Sequence, residues 1–211
     1  MKQTLSYRRK LLDQLLEQQQ FLLKGFVLDL GGERVRKRGY FQPFITKNIT
    51  RWLTVNIDPV TLPDIVLDAH YLPLSSNSFD SVLCCEVLEH VQKPALCISE
   101  VLRVLKPQGV FIFSVPFLFP IHADPFDYSR FTYEGVQNIG SRFSELKIIP
   151  MGSTWGTMGM LLNLASRDIK APLFRRGIRV IGRALTILEM RKGREHDLTA
   201  FSTGYFCVAK K

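Results

Sequence analysis

The stretch Phe26-Val27-Leu28-Asp29-Leu30-Gly31-Gly32 opens the part of the chain that decides the fold. It is an apolar run closed by an acid and two glycines. A second run, Leu53-Thr54-Val55-Asn56-Ile57, ends at Asp58, and a third, Ile65-Val66-Leu67, ends at Asp68. A fourth, Phe79-Asp80-Ser81-Val82-Leu83-Cys84-Cys85, ends at Glu86. Short apolar runs of this kind, separated by turn and helical segments, read as parallel strands buried on both faces. In an open α/β sheet a ligand lies outside the carboxyl ends of the strands. Four such ends therefore predict one crevice lined by Asp29, Asp58, Asp68 and Glu86.

Outward from this stretch the pattern continues. Residues 3–23 space leucines at helical intervals, with Gly25 as the stop. Strands are expected at 26–30, 52–57, 64–68, 79–85, 110–115, 144–150 and 205–209. Helices are expected at 93–105 and at 133–140, the latter capped by Thr132. Lys106-Pro107-Gln108-Gly109 reads as a turn. Between the first two strands, Gly39 and Pro43 predict a short or broken helix, and Arg34 to Arg38 a solvated basic loop. The chain is thus expected to be one α/β domain of doubly wound, Rossmann-like design. Its parts are an N-terminal helix (1–24), a core (25–150), a helical basic insertion (151–200) and a last strand (201–211).

The 211 residues suffice for a sizeable core, and 46% hydrophobic with 22% charged residues excludes a disordered chain. The net charge of +9 is uneven: residues 1–24 carry +3, residues 167–194 carry +7, and the remainder is close to −1. Such a distribution favours an attached basic surface over a globally cationic nucleic-acid binder. Cys84, Cys85, Cys97 and Cys207 lack disulfide or metal-ligand spacing and read as reduced core residues. Asp13, Glu17 and the glutamines around them interrupt any leader-like apolar region, and no apolar stretch of membrane-spanning length occurs. A cytoplasmic protein is the expectation.

The ordered motifs resemble those of the class I S-adenosylmethionine-dependent methyltransferases, in the subgroup with a small type 11 domain. The residues that carry the resemblance are Val27 to Gly32, Asn56-Ile57-Asp58, Asp68 with Leu72-Pro73-Leu74, and Ser78 to Val82. Glu86-Val87-Leu88-Glu89-His90-Val91 and Glu100 to Gly109 complete the set. The match covers about 25–115. It implies a seven-stranded sheet whose last strand is antiparallel, with S-adenosylmethionine across the ends of strands one to four. It further implies that Asp29 and the Gly31-Gly32 loop meet the amino acid part of the cofactor, where missing Cβ atoms allow close approach. Asp58 would accept hydrogen bonds from the ribose hydroxyls, Asp68 and Ala69 would meet the adenine, and Cys85 and Glu86 would lie near the sulfonium and adenine edge. Two departures stand out: Glu33-Arg34-Val35 follows Gly32 where a third glycine is usual, and the distance from Asp29 to Asp58 is long.

The loop Pro116 to Thr132 looks like the His-x-x-Pro-x-Asp-x-x-Arg-x-Thr segment of methyltransferases encoded with bacterial cell-surface glycan genes. The resemblance implies an acceptor-side role. His122 is the candidate base, since a neutral imidazole titrates near working pH. Asp124 or Asp127 would orient it, and Arg130, with Tyr128 beside it, would bind the acceptor. A braced loop, held by an Asp127–Arg130 pair with His122 as a packing residue, is the alternative. No metal site is expected, because no second His or Cys stands in this loop, and His90 reads as a structural hydrogen-bonding residue. The stripe 172–194 reads either as a solvated helical face or as a peripheral contact with anionic membrane. Without interleaved aromatics it is a poor nucleic-acid surface. The expected acceptor is a small molecule or glycan, most specifically a saccharide or lipid-linked glycan precursor. A quinone, another small molecule, RNA, or a non-catalytic scaffold role stand as alternatives, and the oligomeric state is left open.

Overall fold

The computed structural model describes residues 5–33, 47–123, 125–192 and 201–211. Asp124, the basic run Arg34 to Arg38 and the broken helix expected around Gly39 and Pro43 lie outside the described residues.

Helix α1 (Tyr7–Gln19) starts where the Ser6 hydroxyl accepts from the Arg9 amide, at 3.2 Å. Strands follow as β1 (Gly25–Leu30), β2 (Ile49–Asn56), β3 (Ile65–Val66) and β4 (Phe79–Cys85). Helix α2 (Pro94–Val104) leads directly into β5 (Leu105–Pro116). Helix α3 (Tyr133–Gly140), capped by Thr132, precedes β6 (Glu145–Pro150). A helical pair, α4 (Thr154–Ala165) and α5 (Pro172–Lys192), separates β6 from β7 (Gly204–Lys210). One sheet holds all seven strands in the order β3-β2-β1-β4-β5-β7-β6, with β7 antiparallel to both of its neighbours. The expected architecture is therefore present. β3 is shorter than its sequence signal. The expected turn at Lys106–Gly109 is instead the opening of β5, where the register with β4 shifts and Gln108 takes a positive φ of 62°.

Strand alternation explains why the apolar runs are continuous. Leu28, Val82, Cys84, Phe111 and Phe113 face α2 and α3. Val27, Leu83, Ile112 and Phe206 face the other way, onto Leu11, Leu12, Leu15 and Leu16 of α1 and Met160 of α4. All four cysteines are free thiols. No described helix is long and apolar enough to cross a membrane.

A carboxylate on α5 ties the insertion to α1. Glu189 of α5 accepts from the Tyr7 hydroxyl at 2.5 Å, from the Ser153 amide at 2.7 Å and from the Gly156 amide at 2.6 Å; the Ser153 hydroxyl also donates to it. It thereby caps the α4 N-terminus, where the helix dipole favours a negative charge. Farther along, α4 and α5 cross at Gly159 and Gly182, where a Cβ on Gly159 would lie 2.6 Å from the Gly182 carbonyl oxygen.

A second tie fixes α1 to the sheet. Arg8, 2% exposed, donates to Glu86 through Nε at 2.8 Å and Nη2 at 2.6 Å, and through Nη1 to Thr203 at 3.2 Å. Removing the guanidinium strands a mostly buried carboxylate, so Arg8→Met is expected to cost on the order of 3 kcal/mol. The double variant Arg8→Met/Glu86→Gln should recover part of that loss. Urea unfolding of the two variants against the parent measures both effects.

Candidate active site

The strand order reverses between β1 and β4, so the carboxyl ends of these two strands splay apart and open a crevice. A cavity of about 1030 Å³ occupies it. Asp29, Gly31, Gly32, Asp58, Asp68, Ala69, Cys85 and Glu86 all line this one cavity, together with His122 and Tyr128. The register that brings them there is set by backbone pairing, with Leu28 opposite both Leu53 and Val82.

The acids sit in different environments. Asp29 faces the cavity and is partly exposed there, while the protein packed around it pushes its pKa up to about 7 despite a hydrogen bond from the Trp52 side chain. Gly32 is seated against it: a Cβ there would lie 2.2 Å from Asp29 Oδ2. Gly31, at φ +81°, takes a conformation that L side chains rarely adopt. Asp58 caps a 3-10 turn, its Oδ1 accepting from the Val60 amide at 2.9 Å. Asp68 accepts from the His70 amide at 2.9 Å and lies 2.6 Å from His70 Nδ1; these bonds hold its pKa below the usual range. Burial would raise the pKa of Glu86, but the Arg8 guanidinium outweighs it and keeps the carboxyl low. Glu86 also accepts from the Ser114 hydroxyl at 2.7 Å and sits at a φ of 57°.

The loop after β5 folds back onto the 3-10 turn Leu88–His90. The Tyr128 amide donates to the Glu89 carbonyl at 2.7 Å, and His90 Nδ1 meets the Phe126 carbonyl at 2.5 Å. His122 is half-buried, and burial lowers its pKa, so the neutral ring is favoured. Asp127 does not orient the His122 ring by a close bond, since its Oδ2 stands 3.5 Å from Nδ1. It accepts instead from the His122 amide at 2.8 Å and from both Arg130 Nη groups, at 2.5 and 2.7 Å. That pairing holds its carboxyl well below the usual range. The Arg130 fork is fully used: Nε donates to the Phe119 carbonyl, Nη1 also to the Ser129 carbonyl and Nη2 also to the Pro120 carbonyl. Arg130, expected to bind an acceptor anion, therefore has its five donors committed to the loop. A brace is the role its geometry favours.

Three groups carry more of the site than sequence reading assigned them. Asn56 donates to the carbonyls of Gly31 and Gly32, at 3.2 and 3.1 Å, and accepts from the Asp58 amide at 3.0 Å. It clips the glycine loop to the Asp58 turn. Trp52 restrains Asp29, and Arg8 restrains Glu86. Asn56 stood inside a quoted motif, but nothing local revealed its partners.

The cavity suits an adenosyl amino acid. Asp58 offers an acceptor for a hydroxyl pair, Ile57, Leu67 and Ala69 offer apolar surface for a purine, and Asp29 offers a partly exposed acid to an ammonium group. Among the described residues no lysine lines it, and Arg9 stands in its wall. Residues 44–113 match the family model described as a methyltransferase domain. No curated protein sequence matches the chain. Among solved structures, a SAM-dependent methyltransferase from Archaeoglobus fulgidus is 19% identical over 96% of this chain and 94% of its own, with a TM-score of 0.58. The [4+2]-cyclase SpnF is also 19% identical, over 95% and 80%, with a TM-score of 0.56. Haemonchus contortus phosphoethanolamine N-methyltransferase 2, solved in complex with S-adenosyl-L-methionine, is 15% identical over 90% and 49%, with a TM-score of 0.52. The chain thus carries a match to a methyltransferase domain over residues 44–113, in a fold that it shares with S-adenosylmethionine-dependent methyltransferases of known structure.

Proposed function

We propose that the protein O-methylates a saccharide or lipid-linked glycan precursor, with His122 governing the acceptor proton. The single observation that carries this reading is the position of His122: it lines the same cavity as the strand-end acids, and burial favours its neutral form. S-adenosylmethionine, when bound, supplies an electrophilic methyl group on sulfur. The chain's own residues then position the acceptor and exclude water. Phe126 and Tyr128, both exposed, stand with ring centroids 5.6 Å apart on the cavity wall. Such faces suit the apolar side of a sugar ring. A lipid carrier would find exposed Leu173 and Phe174 on α5 beside Arg175 and Arg176, a combination that favours anionic interfaces.

Asp58→Ala should weaken cofactor binding roughly tenfold to a hundredfold, through loss of charge-assisted hydrogen bonds. Isothermal titration with S-adenosylmethionine and its demethylated product measures this. His122→Ala should leave that affinity within about twofold and lower turnover roughly a hundredfold. An acceptor screen spanning sugar nucleotides, lipid-linked glycans, quinones and RNA tests the substrate class. Transfer to none of the glycans, with transfer to another member, would overturn it.

Asp29 gives a pH signature. Its carboxyl is protonated below about pH 7, whereas an ammonium partner favours the ionised form, so binding should release a proton below that pH. Affinity should then rise about tenfold per pH unit up to pH 7 and flatten above it. Titrations between pH 5 and 8, with Asp29→Asn expected to be weaker and pH-independent, check the sign.

A further inference from the structure

Glu89 is completely buried. Among the described residues, neither of its carboxylate oxygens has a hydrogen-bond partner. Only its own backbone amide approaches the carboxylate, short of full hydrogen-bond geometry. The cations whose charge reaches it, Arg8 and Arg130, are committed to Glu86 and Asp127. An orphaned buried carboxylate is costly and needs a reason.

Two imidazoles converge on it. His122 Nε2 lies 3.7 Å from Glu89 Oε1, and His90 Nε2 lies 3.9 Å from the same oxygen. Each ring is turned by its other nitrogen. His90 Nδ1 stands 2.5 Å from the Phe126 carbonyl and His122 Nδ1 3.2 Å from the Pro120 carbonyl. A carbonyl only accepts, so each Nδ1 carries the proton, and in the neutral rings each Nε2 presents a lone pair. With Glu89 ionised, three acceptors face one another with no donor between them; burial pushes its pKa up, so in the absence of a cation the carboxyl takes up a proton instead. A cation is what that arrangement lacks. Imidazoles held through Nδ1 by backbone carbonyls are also the usual orientation for metal ligation through Nε2.

We propose that Glu89, His90 and His122 form a binding site for a divalent transition-metal cation on the wall of the cofactor cavity. One ligand atom from each residue lies within 4.8 Å of the other two. A four-coordinate ion with bonds of about 2.1 Å needs ligand spacings of about 3.4 Å. Small ring rotations, of about an ångström, close that difference. Two nitrogens and one carboxylate oxygen suit zinc, manganese or iron, and leave positions open to the cavity. The chemical role of the ion rests on the methyl-transfer reading above. There the acceptor hydroxyl binds an open position, and the ion lowers its pKa. The hydroxyl proton passes to solvent, the oxygen lone pair forms the bond to the methyl carbon, and the carbon–sulfur bond breaks with its electron pair on sulfur. His122 then holds the ion instead of taking the proton itself.

The test is titration of chelator-stripped, full-length protein with Zn²⁺ and with Mn²⁺, and with Co²⁺ for its ligand-field absorption. One equivalent should bind, with a low-symmetry Co²⁺ spectrum. Glu89→Gln and His122→Ala should each weaken binding roughly tenfold or more. His90→Gln replaces either variant that fails to fold. Absence of stoichiometric binding, or binding unchanged in the variants, would overturn the site. Cofactor titration on the same samples separates the two readings. Cofactor bound without metal removes the metal site and leaves the methyltransferase assignment, whereas metal bound without cofactor does the reverse. Loss of transfer on chelation, restored by the ion, would join them.

Discussion

The Arg8–Glu86 pair is the contact on which the working end of the sheet depends. It joins the first helix to the carboxyl end of β4 and, through Thr203, to the segment entering β7. Glu86 would otherwise be a mostly buried charge in a strained left-handed conformation at the lip of the cavity. With Arg8 opposite, it is a fixed anion, and the following turn, Leu88–His90, has a defined origin. A bidentate guanidinium does this better than an ammonium could, because its planar fork sets direction as well as charge.

From that anchor the site gains acids with separate characters. Asp29, partly desolvated at the cavity wall, holds its proton up to near neutrality, Asp58 engages one oxygen in a turn, and His70 holds the Asp68 carboxyl below the usual range. Identical side chains acquire different chemistry because solvation and donors differ at each strand end. On the opposite lip, the Asp127–Arg130 brace spends its charge on holding the loop in shape. That shape turns His122 inward toward Glu89 and His90.

The α4–α5 pair shows a related economy. Glu189 serves both as a helix cap and as the tie to Tyr7, so one carboxylate joins the insertion to the first helix. The glycines at the crossing let the two helices meet backbone to backbone. The outer face of α5 keeps exposed apolar and arginine side chains side by side.

Much of the fold was legible in the sequence. Burial on both faces demands continuous apolar runs, and those runs, closed by Asp29, Asp58, Asp68 and Glu86, mark strands and their carboxyl ends without reference to partners. Thr132 announced a helix start, because capping is a local interaction. Strand lengths at β3 and β5 departed from the local signal because pairing and a register shift decide them. Everything that depends on groups distant in the chain came only with tertiary structure. Arg8 was one of several basic residues in a helix until Glu86 was placed against it. Arg130 read either as an anion binder or as the brace partner of Asp127, and only the folded loop shows its five donors engaged. Glu89 and His90 stood adjacent in a common motif, and His122 lay 32 residues farther on. The sequence determined which residues end the strands, since periodicity and burial are written locally. Only the fold decided which side chains converge, since that follows from how loops return over the sheet.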